Sequence, residues 1–329
     1  MKILITTRTF TRFNAELIEE LAAAGYSVVT NTYGRLLEEE ELIPLIADAD
    51  GVIAGLDPFG PAVLRAAQRL RVIARYGVGL DNIDIPLATE LGIVVTNTPG
   101  ANKVAVAEQA IGLMFALARH IVTESRAIKR GVWEGGVGME LSGKILGVVG
   151  TGRIGREVAA LGLGLRMQVL CYDIYPDHRW AGTLGVQYVS LPELLSTADV
   201  VSLHVPAARD TFHLIGAEEL NMMKSTALLI NTARAEIIDE AALCRALREG
   251  RLRGAGLDVL ERDSPFAEEL LSMDQVVVTP HSGAHTVEAI ARMGREAVDN
   301  LLAVMKGERP PGIVNKEVFD LPVCRVTGS

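Results

Sequence analysis

Residues 144–173, KILGVVGTGRIGREVAALGLGLRMQVLCYD, constrain the fold more than any other stretch of this chain. The apolar, β-branched run at 145–149 suits a strand buried on both faces of a parallel sheet. Gly150, Gly152 and Gly155 follow at once. In such a turn the first glycine permits the tight bend, the second lets the backbone approach a pyrophosphate, and the third lets helix and strand pack closely. The spacing predicts a helix over 154–161 whose amino end favours an anion, through its unpaired N–H groups and its dipole. A second strand is expected at 168–172, with Asp173 at its carboxyl end, 18 residues after Gly155. A carboxylate there accepts both ribose hydroxyls of an adenosine and repels a 2′-phosphate, so the stretch reads as an NAD site in preference to NADP. A bare GxGxxG also describes glycine-rich surface loops; strand, helix and acid in register are what favour the nucleotide.

This unit has 143 residues in front of it, enough for a domain of their own. A length of 329 residues predicts about two domains, because single cores stop growing near roughly 250 to 300 residues. The net charge of −9 argues against a nucleic-acid partner or an acidic membrane surface. Cys171, Cys244 and Cys324 are widely spaced with no CxxC pair, which predicts structural thiols in a reducing cytoplasm and no cysteine zinc site. The opening MKILITTRTF reads as a strand that meets Arg8 too soon for a signal peptide. The most membrane-like run, 101–120, carries Lys103, Glu108 and Arg119. Its longest uncharged segment, 109–118, falls short of the roughly 18 to 20 residues of a span, so a buried helix is expected instead.

Ahead of the glycine turn the chain already alternates. Strands are expected at 3–6, 27–30, 51–54, 71–75 and 93–97, with helices at 14–24, 38–47, 61–69 and near 85–91. Pro99 and Gly100 break the rhythm, and a long apolar helix from Ala101 leads through a mixed loop, 131–143, to the glycine unit. Beyond it, strands are expected at 187–189, 200–204, 227–231, 254–258 and 275–279, and helices at 192–196, 217–223 and 239–249. One long helix over 286–306 carries Ile290, Met293, Ala297 and Leu301 at helical spacing. Alternation of this kind predicts the α/β class, with two doubly wound parallel sheets covered on both faces. The last helix is apolar enough to return to the first domain. The expected division is therefore 1–100 with 286–329 as one discontinuous domain, and 101–285 as the other.

Three loops at the carboxyl ends of second-domain strands hold the polar groups, which is where open α/β sheets place ligands. In 231–234, Asn-Thr-Ala-Arg, an arginine directly after a strand can hold a carboxylate through two parallel hydrogen bonds, although Arg234 taken alone equally suits a surface ion pair. Residues 256–265 place Asp258, Glu261 and Asp263 near a strand end. In 279–285, Thr-Pro-His-Ser-Gly-Ala-His, a histidine is the best proton carrier of the chain, because its unperturbed pKa of about 6.5 is within reach of neutrality. A neighbouring carboxylate would raise that value and fix the ring. His120 and His178 read as a helix end and a loop residue, His204 as a strand-end group near a cofactor, and nothing recommends His213. His281 and His285 lack an HExxH glutamate or further ligands, so no metal is expected.

Together, GTGRIG with Asp173, NTAR, GLDV with an acid five residues after Asp258, and TPHSGAHT resemble the D-isomer-specific 2-hydroxy acid dehydrogenase family. Residues 75–119, from RYGVGLDN to FALAR, resemble its phosphoglycerate dehydrogenase-like branch, and the likeness runs in order over nearly the whole chain. It implies a Rossmann cofactor domain, a flavodoxin-like substrate domain, and NAD-dependent interconversion of a D-2-hydroxy acid and a 2-keto acid. It gives Arg234 the substrate carboxylate and the keto oxygen, and His281 the acid/base role. Asp263, one methylene shorter than the family's glutamate, would pair with that histidine, with Glu261 as the other candidate.

The same resemblance implies NAD contacts from Gly150, Gly152, Arg153, Ile154, Gly155, Asp173, Val205, Thr232, Ala233, Arg234, Asp258, His281 and Gly283. Backbone N–H groups around Val78 and Gly79 would hold the substrate carboxylate. Arg75 matches the phosphoglycerate branch and would meet a second anionic group, yet the loop 55–57, Gly-Leu-Asp, lacks the arginine that branch often carries. Ala235 stands where the family usually has glycine, which requires a negative φ. In the implied mechanism Arg234 polarises the carbonyl, hydride reaches C2, and protonated His281 supplies the hydroxyl proton while the domains close to exclude water. The helix from Ala101 is too apolar for a monomer surface, and a two-fold homodimer is implied. Two other readings fit the same motifs: a non-catalytic NAD-sensing dimer similar to transcriptional corepressors, and a phosphite or formate dehydrogenase of the same architecture.

Overall fold

The computed structural model describes residues 1–261 and 264–326. It divides into two compact units, Met1–Asn102 with His285–Ser329, and Lys103–Ala284.

The first unit begins with β1 (Lys2–Ile5), α1 (Arg8–Phe13), α2 (Ala15–Ala23) and β2 (Ser27–Thr30). It continues through α3 (Glu39–Ile46), β3 (Gly51–Ala54), α4 (Pro61–Ala66), β4 (Val72–Arg75), α5 (Ile85–Glu90) and β5 (Val94–Thr96). The five strands are parallel in the order β2-β1-β3-β4-β5, a flavodoxin-like sheet whose direction of winding reverses between β1 and β3. Every residue of β3, β4 and β5 is buried, which is why they read as continuous apolar runs and not as alternating ones.

The late segment of the chain completes this unit. Helix α14 (Val287–Met305), capped by Thr286 accepting from Ala289 N, buries Ile290, Met293, Ala297 and Leu301. Beyond it, Gly312 O accepts from Asn97 N at 3.0 Å, and Asn315 Oδ1 accepts from Val95 N at 2.8 Å. At Gly92, φ is +74° and an added methyl would overlap the Val323 carbonyl, so only glycine lets the two segments meet.

The second unit comprises α6 (Lys103–Ala118), α7 (Ile121–Lys129), β6 (Ile145–Val149), α8 (Arg153–Gly164), β7 (Gln168–Tyr172) and α9 (His178–Leu184). There follow β8 (Gln187–Tyr188), α10 (Leu191–Thr197), β9 (Val200–Leu203), α11 (Ala217–Met222) and β10 (Leu228–Asn231). Helices α12 (Glu240–Arg248) and α13 (Ala267–Ser272) flank β11 (Gly254–Leu257), and β12 (Val276–Val278) ends the sheet. Seven parallel strands lie in the order β12-β11-β10-β9-β6-β7-β8, the Rossmann winding, which reverses between β6 and β9. Helix α6 buries Leu113, Met114 and Leu117, and Gly256 of β11 has no side chain because a methyl there would come within 3.0 Å of Leu113 Cβ. Among the described residues no single helix is long and apolar enough to cross a membrane.

Helices α1, α7, α9 and α13 were not expected from the sequence. Three are six or seven residues long, and α7 buries no residue, so none carries a readable apolar period. His178, expected in a loop, opens α9 behind an Asp177 cap.

Candidate active site

The polar groups of the second unit converge because five adjacent strands end along one edge. Val149, Leu203, Asn231, Leu257 and Val278 are successive partners across β6, β9, β10, β11 and β12. The loops that follow carry Gly150, Val205, Thr232 to Arg234, Asp258, and His281 with Gly283. At the winding reversal, a methyl on Gly150 (φ +92°) would come within 2.8 Å of the His204 carbonyl and 2.9 Å of Val205 Cγ1. A methyl on Gly155 would overlap the Gly150 carbonyl. Gly152 differs: nothing lies within 4 Å of where its methyl would be, and no side chain caps α8, which starts at Arg153 and Ile154.

Asp173 is tied to this turn. Its Oδ2 accepts Thr151 N at 2.7 Å and Thr151 Oγ1 at 2.9 Å, and its Oδ1 accepts Tyr175 N at 2.9 Å. Burial opposes its charge, yet the N–H groups of Tyr175 and Thr151, the Thr151 hydroxyl and the Arg156 cation hold the carboxyl below its ordinary value. At the end of β9, His204 Nε2 shares a hydrogen with Ser202 Oγ at 2.8 Å, and desolvation pushes the imidazole down to about 3. His204 is therefore neutral at physiological pH.

Asn231, 1% exposed, builds the arginine loop by accepting Ala233 N at 3.0 Å and donating to Arg234 O at 2.7 Å. Arg234 Nη1 donates to Ala233 O at 2.7 Å, and the guanidinium is half-buried. Thr232 is buried with no partner for its hydroxyl oxygen. Ala235 opens a short 3-10 turn and is not among the residues with positive φ, so a side chain is accommodated there.

The histidine loop hangs on Asp258, which is 1% exposed. Its Oδ1 accepts Thr279 Oγ1 at 2.5 Å and Ser282 N at 2.9 Å, and its Oδ2 accepts Gly283 N at 2.8 Å. Asp258 was expected at the cofactor; its carboxylate holds this loop through Thr279, Ser282 and Gly283. That residue is exposed, at φ 53°, with its N–H donating to Asp258 O at 2.8 Å. Left-handed backbone at a histidine costs about 1 to 3 kcal/mol and persists only where surrounding bonds impose it. Gln109 Nε2 reaches Thr279 Oγ1 at 3.0 Å, extending the frame to α6.

Asp263 lies outside the described residues. Glu261 donates its N–H to Glu240 Oε1 at 2.9 Å, and its carboxyl is pushed up by burial and by the charges of Glu240 and Glu236, with His213 opposing. Among the described residues no group of three or more His, Cys, Asp or Glu is placed to hold a metal.

Arg75, Val78 and Gly79 belong to the first unit. The carbonyl of Gly77 accepts Thr98 N at 3.0 Å and that of Val78 accepts Asn97 Nδ2 at 3.0 Å. In trans peptides the N–H points opposite the carbonyl, so the N–H groups of Val78 and Gly79 face away from these partners. Arg75 is 6% exposed, and its guanidinium donates to the carbonyls of Tyr76 and, at 2.9 Å, Gly79. In the loop after β3, Asp57 is fully buried and accepts Leu37 N at 2.8 Å, while Leu56 is exposed.

Comparison with known proteins joins these loops to a family. Residues 111–283 match the model of the D-isomer specific 2-hydroxyacid dehydrogenase NAD binding domain. The chain belongs to the D-isomer specific 2-hydroxyacid dehydrogenases. It is 42% identical over 285 residues to a glyoxylate reductase of Korarchaeum cryptofilum, covering 84% of this chain and 86% of that one. A D-3-phosphoglycerate dehydrogenase of Methanocaldococcus jannaschii is 42% identical over 283 residues, covering 85% of this chain and 54% of that longer protein. Among solved structures, a D-lactate dehydrogenase of Aquifex aeolicus, complexed with NAD and lactic acid, is 30% identical with a TM-score of 0.81, over 93% of this chain and 96% of that one.

As a D-2-hydroxyacid dehydrogenase, the protein is an NAD-dependent oxidoreductase acting on a CH–OH group. Its residues fit the cofactor: the space over Gly152 and the uncapped start of α8 suit a pyrophosphate, and the anchored Asp173 suits an adenosine ribose. What the sequence did not disclose is the support around these groups, above all Ser202 under His204 and Thr151 with Tyr188 beside Asp173. The only advance sign was a threonine inside GTGRIG.

Proposed function

We propose that this dehydrogenase interconverts small, unphosphorylated 2-keto acids of the glyoxylate type and the matching 2-hydroxy acids, in the D configuration wherever C2 is a stereocentre. What carries the reading is Arg75, whose guanidinium is engaged by the Tyr76 and Gly79 carbonyls and is almost fully buried. It serves the loop before it could serve a substrate phosphate. The loop 55–57 offers no cation either, since Leu56 is its exposed side chain and Asp57 is buried. Similarity to glyoxylate reductases at 40 to 44% identity supports the same substrate class.

In this proposal the N–H groups of Val78 and Gly79 bind the substrate carboxylate, and Arg234 orients the keto oxygen and draws charge from it. His281 holds the proton that reaches that oxygen and takes it back in the oxidative direction. Asp263 stabilises the charged imidazolium until its proton is transferred to the substrate oxygen. NAD, when bound, supplies or accepts the hydride. The working state is a cytoplasmic homodimer, and the apolar side chains left exposed within 121–137, Ile121, Ile128, Val132, Trp133 and Val137, support the pairing.

The test is a panel of glyoxylate, hydroxypyruvate, a branched 2-keto acid and a 3-phosphorylated 2-keto acid, each with NADH and NADPH. Glyoxylate should lead the phosphorylated acid in kcat/KM by at least about tenfold. A phosphorylated acid at the head of the panel would reject the assignment.

A further inference from the structure

We propose that Thr151 and Tyr188 are positioning residues for cofactor choice, a hydroxyl pair that fixes the Asp173 carboxylate in the orientation that receives an adenosine ribose and turns away a 2′-phosphate. The proposal rests on Asp173 facing that ribose.

The direction of the hydrogen bonds follows from charge. An ionised carboxylate only accepts, so at 2.9 Å from Asp173 Oδ2 the single hydroxyl hydrogen of Thr151 is donated to it. The 2.7 Å contact between Thr151 Oγ1 and Tyr188 Oη must then use the phenol's hydrogen. The relay runs from Tyr188 to Thr151 to Asp173, each group donating toward the negative end, where hydrogen bonds are strongest.

Every other degree of freedom at Thr151 is already taken. Its N–H donates to the same Oδ2 at 2.7 Å, its carbonyl accepts Arg156 Nε at 2.9 Å, and it is 4% exposed. Tyr188 comes from the edge strand, paired with Cys171 two residues before Asp173. Its ring is held edge-on by His178 at 5.5 Å and Trp180 at 6.3 Å, and Trp180 lies under the Arg156 guanidinium. The three donors leave Oδ1, which takes only Tyr175 N, as the carboxylate oxygen with most capacity for a ribose hydroxyl. Without the Thr151 hydroxyl the half-buried carboxylate would be held by one backbone N–H on each oxygen, a looser grip on its orientation.

The experiment measures Kd for NADH and NADPH by cofactor fluorescence, and melting temperature without cofactor, for Thr151→Val, Thr151→Ser, Tyr188→Phe, the double variant Thr151→Val with Tyr188→Phe, and Asp173→Ala. Thr151→Val should weaken NADH roughly tenfold and shrink the NADPH-to-NADH Kd ratio by a similar factor, as expected for losing a hydrogen bond to a charged group. Its melting temperature should stay within about 3 °C of the parent, and Thr151→Ser should restore the NADH affinity and the ratio. Tyr188→Phe should act in the same direction but add nothing in the Thr151→Val background, because its effect passes through Thr151. Unchanged selectivity in Thr151→Val, or an equal Tyr188→Phe effect in both backgrounds, overturns the relay. If Asp173→Ala leaves both affinities intact, the ribose reading itself falls and the relay with it; loss of affinity there with an indifferent Thr151→Val rejects the relay alone.

Discussion

Asp258 and His281 are bound twice over: the Asp258 carbonyl accepts the His281 N–H at 2.8 Å, and the Asp258 carboxylate holds the residues on either side, Thr279, Ser282 and Gly283. A left-handed histidine is thus clamped by one buried acid.

Asp258→Asn keeps the size but replaces one acceptor oxygen by a donor, which must face N–H groups or the Thr279 hydroxyl. We expect kcat to fall roughly 10- to 100-fold while NADH affinity changes less than about threefold, because the histidine loses its fixed place and the glycine turn does not. Steady-state kinetics with fluorescence titration decides it, and an intact kcat would show that the loop holds its shape without the acid.

The three turn glycines should separate in two measurements. Gly152→Ala has open space around its new methyl and φ of −67°, so melting without cofactor should be unchanged while NADH affinity drops at least about tenfold. Gly155→Ala drives its methyl into the Gly150 carbonyl and should destabilise the unit by about 2 to 4 kcal/mol. Equal melting temperatures for the two variants would contradict these roles.

Arg75→Met removes the guanidinium from the Tyr76 and Gly79 carbonyls. If its work is to shape that loop, KM should rise by a similar factor, roughly tenfold, for 2-keto acids with an uncharged side chain and for those with a second anionic group. A loss confined to acids with a second negative charge would return Arg75 to the substrate.

The neutral His204 sets an acid limb on stability. Its folded pKa is depressed to about 3, so the unfolded chain binds the extra proton first. Its contribution is complete above the unfolded value of about 6.5 and is lost as pH falls toward the folded one. Denaturant midpoints at pH 7.5 and 5.0 should therefore diverge more in the parent than in His204→Asn, and parallel changes would sink the attribution.

The sequence disclosed the central strands well because short apolar runs such as β3, β4 and β9 are buried on both faces, and β2, β3, β6 and β7 begin and end where the residue pattern places them. The glycine turn was legible for the same local reason: its spacing is backbone geometry written in residue type. The hydrogen bonds of Asp258 were not legible in the sequence, because only the three-dimensional path of residues 279–283 reveals what its oxygens hold. The bonds from Arg75 to the Tyr76 and Gly79 carbonyls were not legible either, since no sequence rule shows a side chain folding back onto its own loop. Tyr188 was silent because it stands on a two-residue strand, one place removed from the acid it serves.

The first unit draws α14 and the strap around Asn315 from beyond residue 284, and its β3 and β5 lean on Leu301, Gly312 and Asn315. A ribosome therefore releases every element of the middle unit before the outer one has its last helix. The nucleotide-binding half can fold during synthesis, while residues 1–102 must wait with one face of their sheet uncovered. A nascent-chain protease assay should show protection of 103–284 first, which makes the early segment the part of this enzyme most in need of a chaperone.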